Sequence, residues 1–225
     1  MQLKIYSCSK CVGKERDFVK YGKTKCGKQR YQCRSCKTTS VLKYTYQAYQ
    51  KTINPQIVQL IKEGLGIRSI ARVLRISVTT LLSRIKLISK RVKLPTITLH
   101  RSYEVDEMRT FVGNKKNLYW IVYALDKKTK DVISFSVGKR NYRTLSKVIR
   151  TVQDSKPVKV FTDSLVHYKF LIDQKVHQIR KWGTNHIERK NLSIRTHIKR
   201  LNRRTICFSR SLGILDNVLK IYFWA

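Results

Sequence analysis

The chain has 225 residues, 42% of them apolar, which suffices for one large domain or for two or three small ones with their own cores. Forty-nine Lys and Arg against 13 Asp and Glu leave a formal net charge of +36, far beyond what solubility needs, so a polyanion such as DNA or RNA is the first partner inferred. No long apolar run or signal-peptide core is present, which argues against a membrane protein and predicts a soluble, intracellular one.

Six cysteines in a reducing compartment point to metal ligation rather than disulfides, provided their spacing agrees. Cys8-x-x-Cys11 and Cys33-x-x-Cys36, with 21 residues between the pairs, have the spacing of a zinc ribbon. Each Cys-x-x-Cys turn presents two thiolates to one face of an ion, and two such turns complete the tetrahedron of a structural Zn²⁺. Two pairs without a βαβ context argue against a redox-active dithiol. Cys26 and Cys207 stand outside the pattern. A closed four-thiolate site is structural, so the ribbon is expected to hold Lys28 and Arg30 of "GKQRY" against a phosphate backbone.

Residues 41–53, "VLKYTYQAYQKTI", show no clear period and read as a connector with some strand content. Asn54 is then expected to cap a helix that Pro55 opens and that Gly64 and Gly66 stop. Apolar spacing restarts at Ile67, Ile70, Ala71, Val73 and Leu74. After a short turn, Ser77 is expected to cap a third helix with Val78, Leu81, Leu82, Ile85 and Ile88 as its buried stripe. Three short helices with a tight turn before the last describe a helix-turn-helix, whose final helix would turn Thr79, Thr80, Ser83, Arg84 and Lys86 toward a major groove. The bland rival is a small bundle serving as a linker or dimer element. Residues 1–103 carry only three acids, Glu15, Asp17 and Glu63, which favours the DNA-binding reading.

Beyond Pro95 the acids gather: ten of the 13 lie from Glu104 onward. "RSYEVDEMRTFVG", "NLYWIVYALD" and "DVISFSVG" read as three strands of a meander, "NYRTLSKVIRTVQD" as a helix, "VKVFTD" as a fourth strand, and the remainder as mainly helical. That order suggests an RNase-H-like α/β domain. The predicted organisation is multidomain α/β: a zinc ribbon over 1–45, a helix-turn-helix domain over 46–94, and an RNase-H-like mixed sheet with helices over 95–225.

Asp106 falls inside the first strand of that sheet and Asp163 at the carboxyl end of the fourth, where the chain leaves the sheet. Glu188 is the only acid between Asp173 and Asp216, a stretch with eleven Lys and Arg. One acid from each of three elements suits Mg²⁺ or Mn²⁺, and two such ions would activate an attacking oxygen and stabilise a leaving one in phosphodiester displacement. Arg189, Lys190 and Arg195 would hold phosphates, with Asn191 positioning DNA from the same helix. Each acid also has an ordinary reading. Strand alternation puts Glu104 on the face of Asp106 and Glu107 on the other, so Glu104 is the serious competitor. Asp163 with Ser164 could cap a helix, and Glu188 could pair with Lys190 or Arg195. His167, His177, His186 and His197 form no His-x-x-x-His pair with a nearby glutamate, against a histidine-dependent nuclease or a second zinc site.

Nearly the whole chain resembles the IS1-type insertion-sequence transposases of the DDE superfamily of RNase-H-like recombinases. The resemblance rests on the two Cys-x-x-Cys pairs with "GKQRYQC" between them, "EVDEMRTFVGNKK", "YWIVYALD", "FTDS" and "IERKNLSIR". It places that family's catalytic acids on Asp106, Asp163 and Glu188, the last two separated by 24 residues. Arg109 stands where the family usually has tryptophan, and Lys190 where histidine is frequent. The resemblance implies a DNA transposase whose ribbon and helix-turn-helix bind terminal inverted repeats while its C-terminal domain cuts and joins strands. It also implies dimers or larger assemblies on paired DNA ends, in a cytoplasmic, nucleoid-associated setting. From other classes, the rivals are a DNA-binding repressor with an inactive catalytic domain and an RNase-H-like nuclease or Holliday-junction enzyme.

Overall fold

The computed structural model describes residues 8, 10, 11, 18–41, 46–179 and 183–225. It divides into two compact units, 1–50 and 51–225. Residues 42–45 of the expected connector lie outside the described residues.

In the first unit, β1 (Phe18–Lys23), β2 (Gln29–Cys33) and β3 (Thr39–Ser40) form an antiparallel sheet in that order. The turn from β1 to β2 is closed by Gly27 N–H donating to the Thr24 carbonyl at 2.9 Å, with Gly27 at φ +75° where a side chain would be strained. Cys33 ends β2 fully buried.

The second unit opens with three helices, α1 (Ile53–Lys62), α2 (Ile67–Val73) and α3 (Val78–Arg91). The expected Asn54 cap is not formed: α1 begins at Ile53, two residues before Pro55, its cap position is Thr52, and the Asn54 side-chain oxygen is buried without a partner. Pro55 still fits, because the N–H it lacks belongs to the first turn, where none has an intrahelical acceptor. Ser77 caps α3 as its sequence implied, accepting from the Thr80 N–H at 3.0 Å. Leu81 and Ile85 are buried, but Val78 is 40% exposed and the buried face continues instead through Ser89. The Ser89 hydroxyl donates to Asn217 Oδ1 at 2.7 Å, because α3 packs on a helix at the far end of the chain, α7 (Leu212–Trp224).

Five strands form the central sheet: β4 (Ser102–Val112), β5 (Asn114–Asp126), β6 (Val132–Gly138), β7 (Lys159–Thr162) and β8 (His177–Ile179). Their spatial order is β6-β5-β4-β7-β8, with the β4–β5–β6 meander antiparallel and β4–β7–β8 parallel, a mixed α/β sheet as the element order implied. The edge strand β8 carries no apolar alternation of its own in "HQI", so sequence pattern passes over it.

Alternation along β4 and β5 assigns the two faces. Tyr103, Val105, Val122 and Ala124 pack with α4 (Tyr142–Asp154) and α5 (Val166–Leu171), a core that includes Leu145, Val148, Ile149 and Tyr168. On the other face Met108, Ile121, Tyr123 and Leu125 pack with α6 (Asn185–His197) and α7 through Ile187, Ile194, Leu215 and Leu219. Burial at roughly 25 cal/mol per Å² of apolar surface makes these two layers the main stabilisers of the unit. Among the described residues no helix is long and apolar enough to cross a membrane.

Candidate active site

The last paired residues of β4 and β7 are Glu104 and Phe161. Two residues further on stand Asp106, within β4, and Asp163, just past the end of β7, so parallel pairing brings the two carboxylates side by side. Because β7 ends at Thr162, β4 has no neighbour on that edge beside Asp106 and Glu107. Side chains from opposite faces of β4 can then turn around the open edge toward one point. Asp106, Glu107 and Asp163 each bring a carboxylate oxygen there, all within 4.8 Å of one another.

The surroundings order these groups unequally. Asp106 Oδ1 accepts from the Glu107 N–H and Oδ2 from Asn191 Nδ2, both at 2.7 Å. Asn191 is itself fixed, since the Tyr123 hydroxyl donates to its Oδ1 at 2.9 Å. Burial pushes the Asp106 carboxyl above the usual carboxylate range; the two hydrogen bonds pull it down, and the charges of Asp163 and Glu188 push it up further. Glu107 is also raised, first by burial and then by Asp163 and Asp106, against lowering by the neighbouring Tyr168 and Arg140. Arg140 Nη2 lies 3.2 Å from Glu107 Oε2 and 3.9 Å from Asp163 Oδ2, while its guanidinium stacks on the Trp120 ring at 4.7 Å.

Glu188 sits in the first turn of α6, its Oε1 accepting from the Thr184 hydroxyl at 3.0 Å. Its charge is felt at Asp106, yet its oxygens do not join the 4.8 Å cluster. The place near Asp106 that alternation left to Glu104 is not available to it. That fully buried carboxylate points at α6, where Oε2 accepts from the Ile187 N–H at 2.8 Å and Oε1 lies 2.6 Å from His186 Nδ1 and 3.6 Å from Lys127 Nζ. Strand alternation puts Glu107 on the far face of β4 from Asp106. Its arrival in the cluster depends on the unpaired edge of β4, which a strand pattern cannot display.

The side chains expected on DNA divide by their contacts. Arg189 is exposed and Lys190 half-buried on α6. Arg195 instead donates from Nη1 to the Leu201 carbonyl at 2.8 Å and from Nη2 to the Arg109 carbonyl at 3.3 Å, strapping the end of α6 to β4. Its pKa is lowered, chiefly by burial. On α3, Thr79, Ser83 and Lys86 are exposed, whereas Thr80 and Arg84 are half-buried and the Thr80 hydroxyl lies 2.8 Å from that of Ser77. In the first unit Lys28 is half-buried beside the β1–β2 turn, and the Arg30 guanidinium lies 5.7 Å from the centre of the Tyr21 ring.

The four sulfurs of Cys8, Cys11, Cys33 and Cys36 also lie within 4.8 Å of one another, Cys8 and Cys36 at 3.5 Å. A tetrahedral site with Zn–S near 2.3 Å needs sulfurs about 3.8 Å apart, so the set fits Zn²⁺. Hydrogen bonds from Thr38 lower the Cys36 thiol to about 6, and its neighbours, Cys36 first, push Cys11 up to about 12. The oxygen-only set of Asp106, Glu107 and Asp163 fits a hard divalent ion instead.

The family model described as IS1 transposase matches residues 100–224. Insertion element iso-IS1n protein InsB of Shigella dysenteriae is 36% identical over 116 residues, covering 52% of this chain and 88% of that protein. Insertion element IS1 protein InsB of Shigella sonnei is 34% identical over 119 residues, covering 53% of this chain and 91% of that protein. Among solved structures, the HTLV-2 integrase catalytic core domain in complex with magnesium aligns with 57% of this chain and 86% of that one, at 16% identity and a TM-score of 0.37.

Proposed function

Because the chain belongs to the IS1 transposase family, we propose that it is a DNA transposase that binds the terminal inverted repeats of its element and performs phosphodiester cleavage and strand transfer. Asp106, Asp163 and Glu188 are the acids that would hold Mg²⁺ or Mn²⁺. When bound, a pair of such ions activates the attacking oxygen and stabilises the leaving one.

The observation that carries this reading is the convergence of Asp106 and Asp163 where β7 ends and leaves the edge of β4 open, in a chain with only 13 acids among 49 Lys and Arg. The protein's own groups prepare that end. Asn191 and the Glu107 N–H hold both oxygens of Asp106, so the carboxylate is oriented in advance. Helix α6 carries Glu188 on one side of the cluster and presents Arg189 and Lys190 for phosphate contact. The exposed Thr79, Ser83 and Lys86 of α3, with Thr80 and Arg84, serve as the major-groove reader of a helix-turn-helix. A Zn²⁺ ribbon held by Cys8, Cys11, Cys33 and Cys36 adds Lys28 and Arg30 to the backbone contacts. The net charge of +36 concentrates DNA around the whole molecule. Strand transfer from paired ends calls for at least a homodimer on double-stranded DNA, in a cytoplasmic, nucleoid-associated setting. The three functional parts are assigned to residues 1–45, 46–94 and 95–225.

Labelled oligonucleotides carrying the inverted repeats that flank the gene test this directly. The wild type is expected to cut and join them with Mg²⁺ or Mn²⁺, and Glu188→Gln to bind them equally while reacting at least ~10²-fold more slowly, since even residues supporting a metal ligand cost 10–100-fold. Binding without reaction in either protein under any divalent metal would make the chain a repressor. Cutting indifferent to the repeats would make it a nuclease.

A further inference from the structure

We propose that Glu107 is a fourth carboxylate ligand of the metal centre, completing with Asp106 and Asp163 a binding face for a divalent cation on the side opposite α6. The inference rests on the transposase reading and extends it to a residue outside the three acids assigned above.

Glu107 combines features that an ordinary ion-paired glutamate lacks. Its side chain is only 1% exposed, although Asp163, its neighbour in the cluster, is 43% exposed. One oxygen, Oε2, meets Arg140 at 3.2 Å; the other, Oε1, is buried and meets no strict hydrogen-bond geometry, its one neighbouring donor being the Tyr168 hydroxyl, which lowers the Glu107 carboxyl without reaching that geometry. A carboxylate held out of water with an unsatisfied oxygen costs free energy unless a cation or donor completes it. Within 4.8 Å it meets two further carboxylates, and Arg140 is the only guanidinium or ammonium in salt-bridge contact with any of the three among the described residues. Three negative charges against one positive leave a deficit of about two charges, which a single divalent cation neutralises. Arg140 is drawn aside by stacking on Trp120 and stays nearly 4 Å from Asp163. It neutralises one oxygen of Glu107 and only reaches the edge of salt-bridge range at Asp163.

The rival explanation is that Glu107 exists to hold Arg140. The two roles separate in Mn²⁺ binding by the zinc-loaded full-length protein, followed without DNA through loss of the electron paramagnetic resonance signal of free Mn²⁺. The proteins compared are the wild type, Glu107→Gln, Arg140→Gln and Asp163→Asn, each checked for an unchanged far-ultraviolet circular dichroism spectrum. As a ligand, Glu107 makes Glu107→Gln bind at least ~10-fold more weakly. Arg140→Gln then binds as tightly as the wild type or tighter, because a competing cation has gone. Equal weakening by Glu107→Gln and Arg140→Gln assigns Glu107 to holding Arg140 and overturns the proposal. Wild-type affinity in Glu107→Gln alongside lost binding in Asp163→Asn also overturns it, while leaving the transposase reading intact. Absence of Mn²⁺ binding in the wild type at millimolar concentration removes both. Should Glu107→Gln fail to fold, Glu107→Asp keeps the charge on a shorter arm, and undiminished binding by it together with weakened binding by Arg140→Gln refutes ligation.

Discussion

Replacing Glu104 by glutamine tests how α6, and with it Glu188, is held to the sheet. Glu104 rises from β4, and its buried carboxylate accepts from the third N–H of α6, one of four in the first turn that the helix itself cannot satisfy. A negative charge there also faces the positive end of the helix dipole. The amide keeps the size and one acceptor, so the bond from Ile187 survives in neutral form while the 2.6 Å contact to His186 loses its charged partner. Charge-assisted bonds contribute roughly 1 kcal/mol more than neutral ones, and two are affected, giving about 2 kcal/mol. Lys127 adds little, being 3.6 Å away and a third exposed. For a unit of this size each kcal/mol moves the unfolding midpoint by about 2–4 °C, so Glu104→Gln is expected to lower it by about 4–8 °C. Amide exchange should quicken along the first turn of α6, and strand cleavage should fall, because Glu188 follows Ile187 directly. Thermal unfolding and hydrogen exchange read the first two. A midpoint within about 1 °C of the wild type, with α6 protection unchanged, would refute this account of how the helix is anchored.

Gly64→Ala is expected to destabilise the second unit by at least ~2 kcal/mol: the residue has φ +74°, and an added Cβ would lie 1.9 Å from the His197 carbonyl oxygen at the end of α6. An unfolding midpoint equal to the wild type would show that α1 and α6 do not approach so closely. The raised carboxyls of Asp106 and Glu107 set a sign for pH dependence. A carboxyl raised on folding adds stability in its protonated form, complete below the ordinary carboxylate range and lost as pH climbs through the raised value. Without added divalent ions, Glu107→Gln should therefore flatten the fall in unfolding midpoint toward neutral pH, and parallel curves for variant and wild type would contradict the burial of that charge.

Much of the sheet was readable because its strands are long and apolar and end in turn residues. Asp106 and Asp163 were readable for the same reason, each having a definite position relative to a strand end. Pattern stops where a neighbour is missing. The alternation that separates Glu107 from Asp106 is correct for the backbone, and only the early end of β7 lets both side chains reach one point. Helical period put Asn191 and Arg195 on the helix of Glu188 but could not name their partners, which are Tyr123 and Asp106 for one and two carbonyls for the other. Ser89 reads as a polar surface residue until Asn217, 128 positions away, is seen opposite it.

That distant pairing sets an order of events during synthesis. Helix α3, which carries the proposed groove-reading residues, and α1 both rest on α7, and about 120 residues separate the end of α3 from its start. At ~5–20 residues per second the ribosome needs roughly 6–25 s to cover that distance. During this interval α1 and α3 lack the surface they settle against, and the buried hydroxyl of Ser89 waits for its acceptor. A nascent chain therefore exposes an unfinished apolar face next to its basic helices for roughly millions of times longer than a helix takes to form. The reader proposed for α3 gains its support only once the thirteen residues of α7 are made, so a product lacking α7 would carry α3 without it.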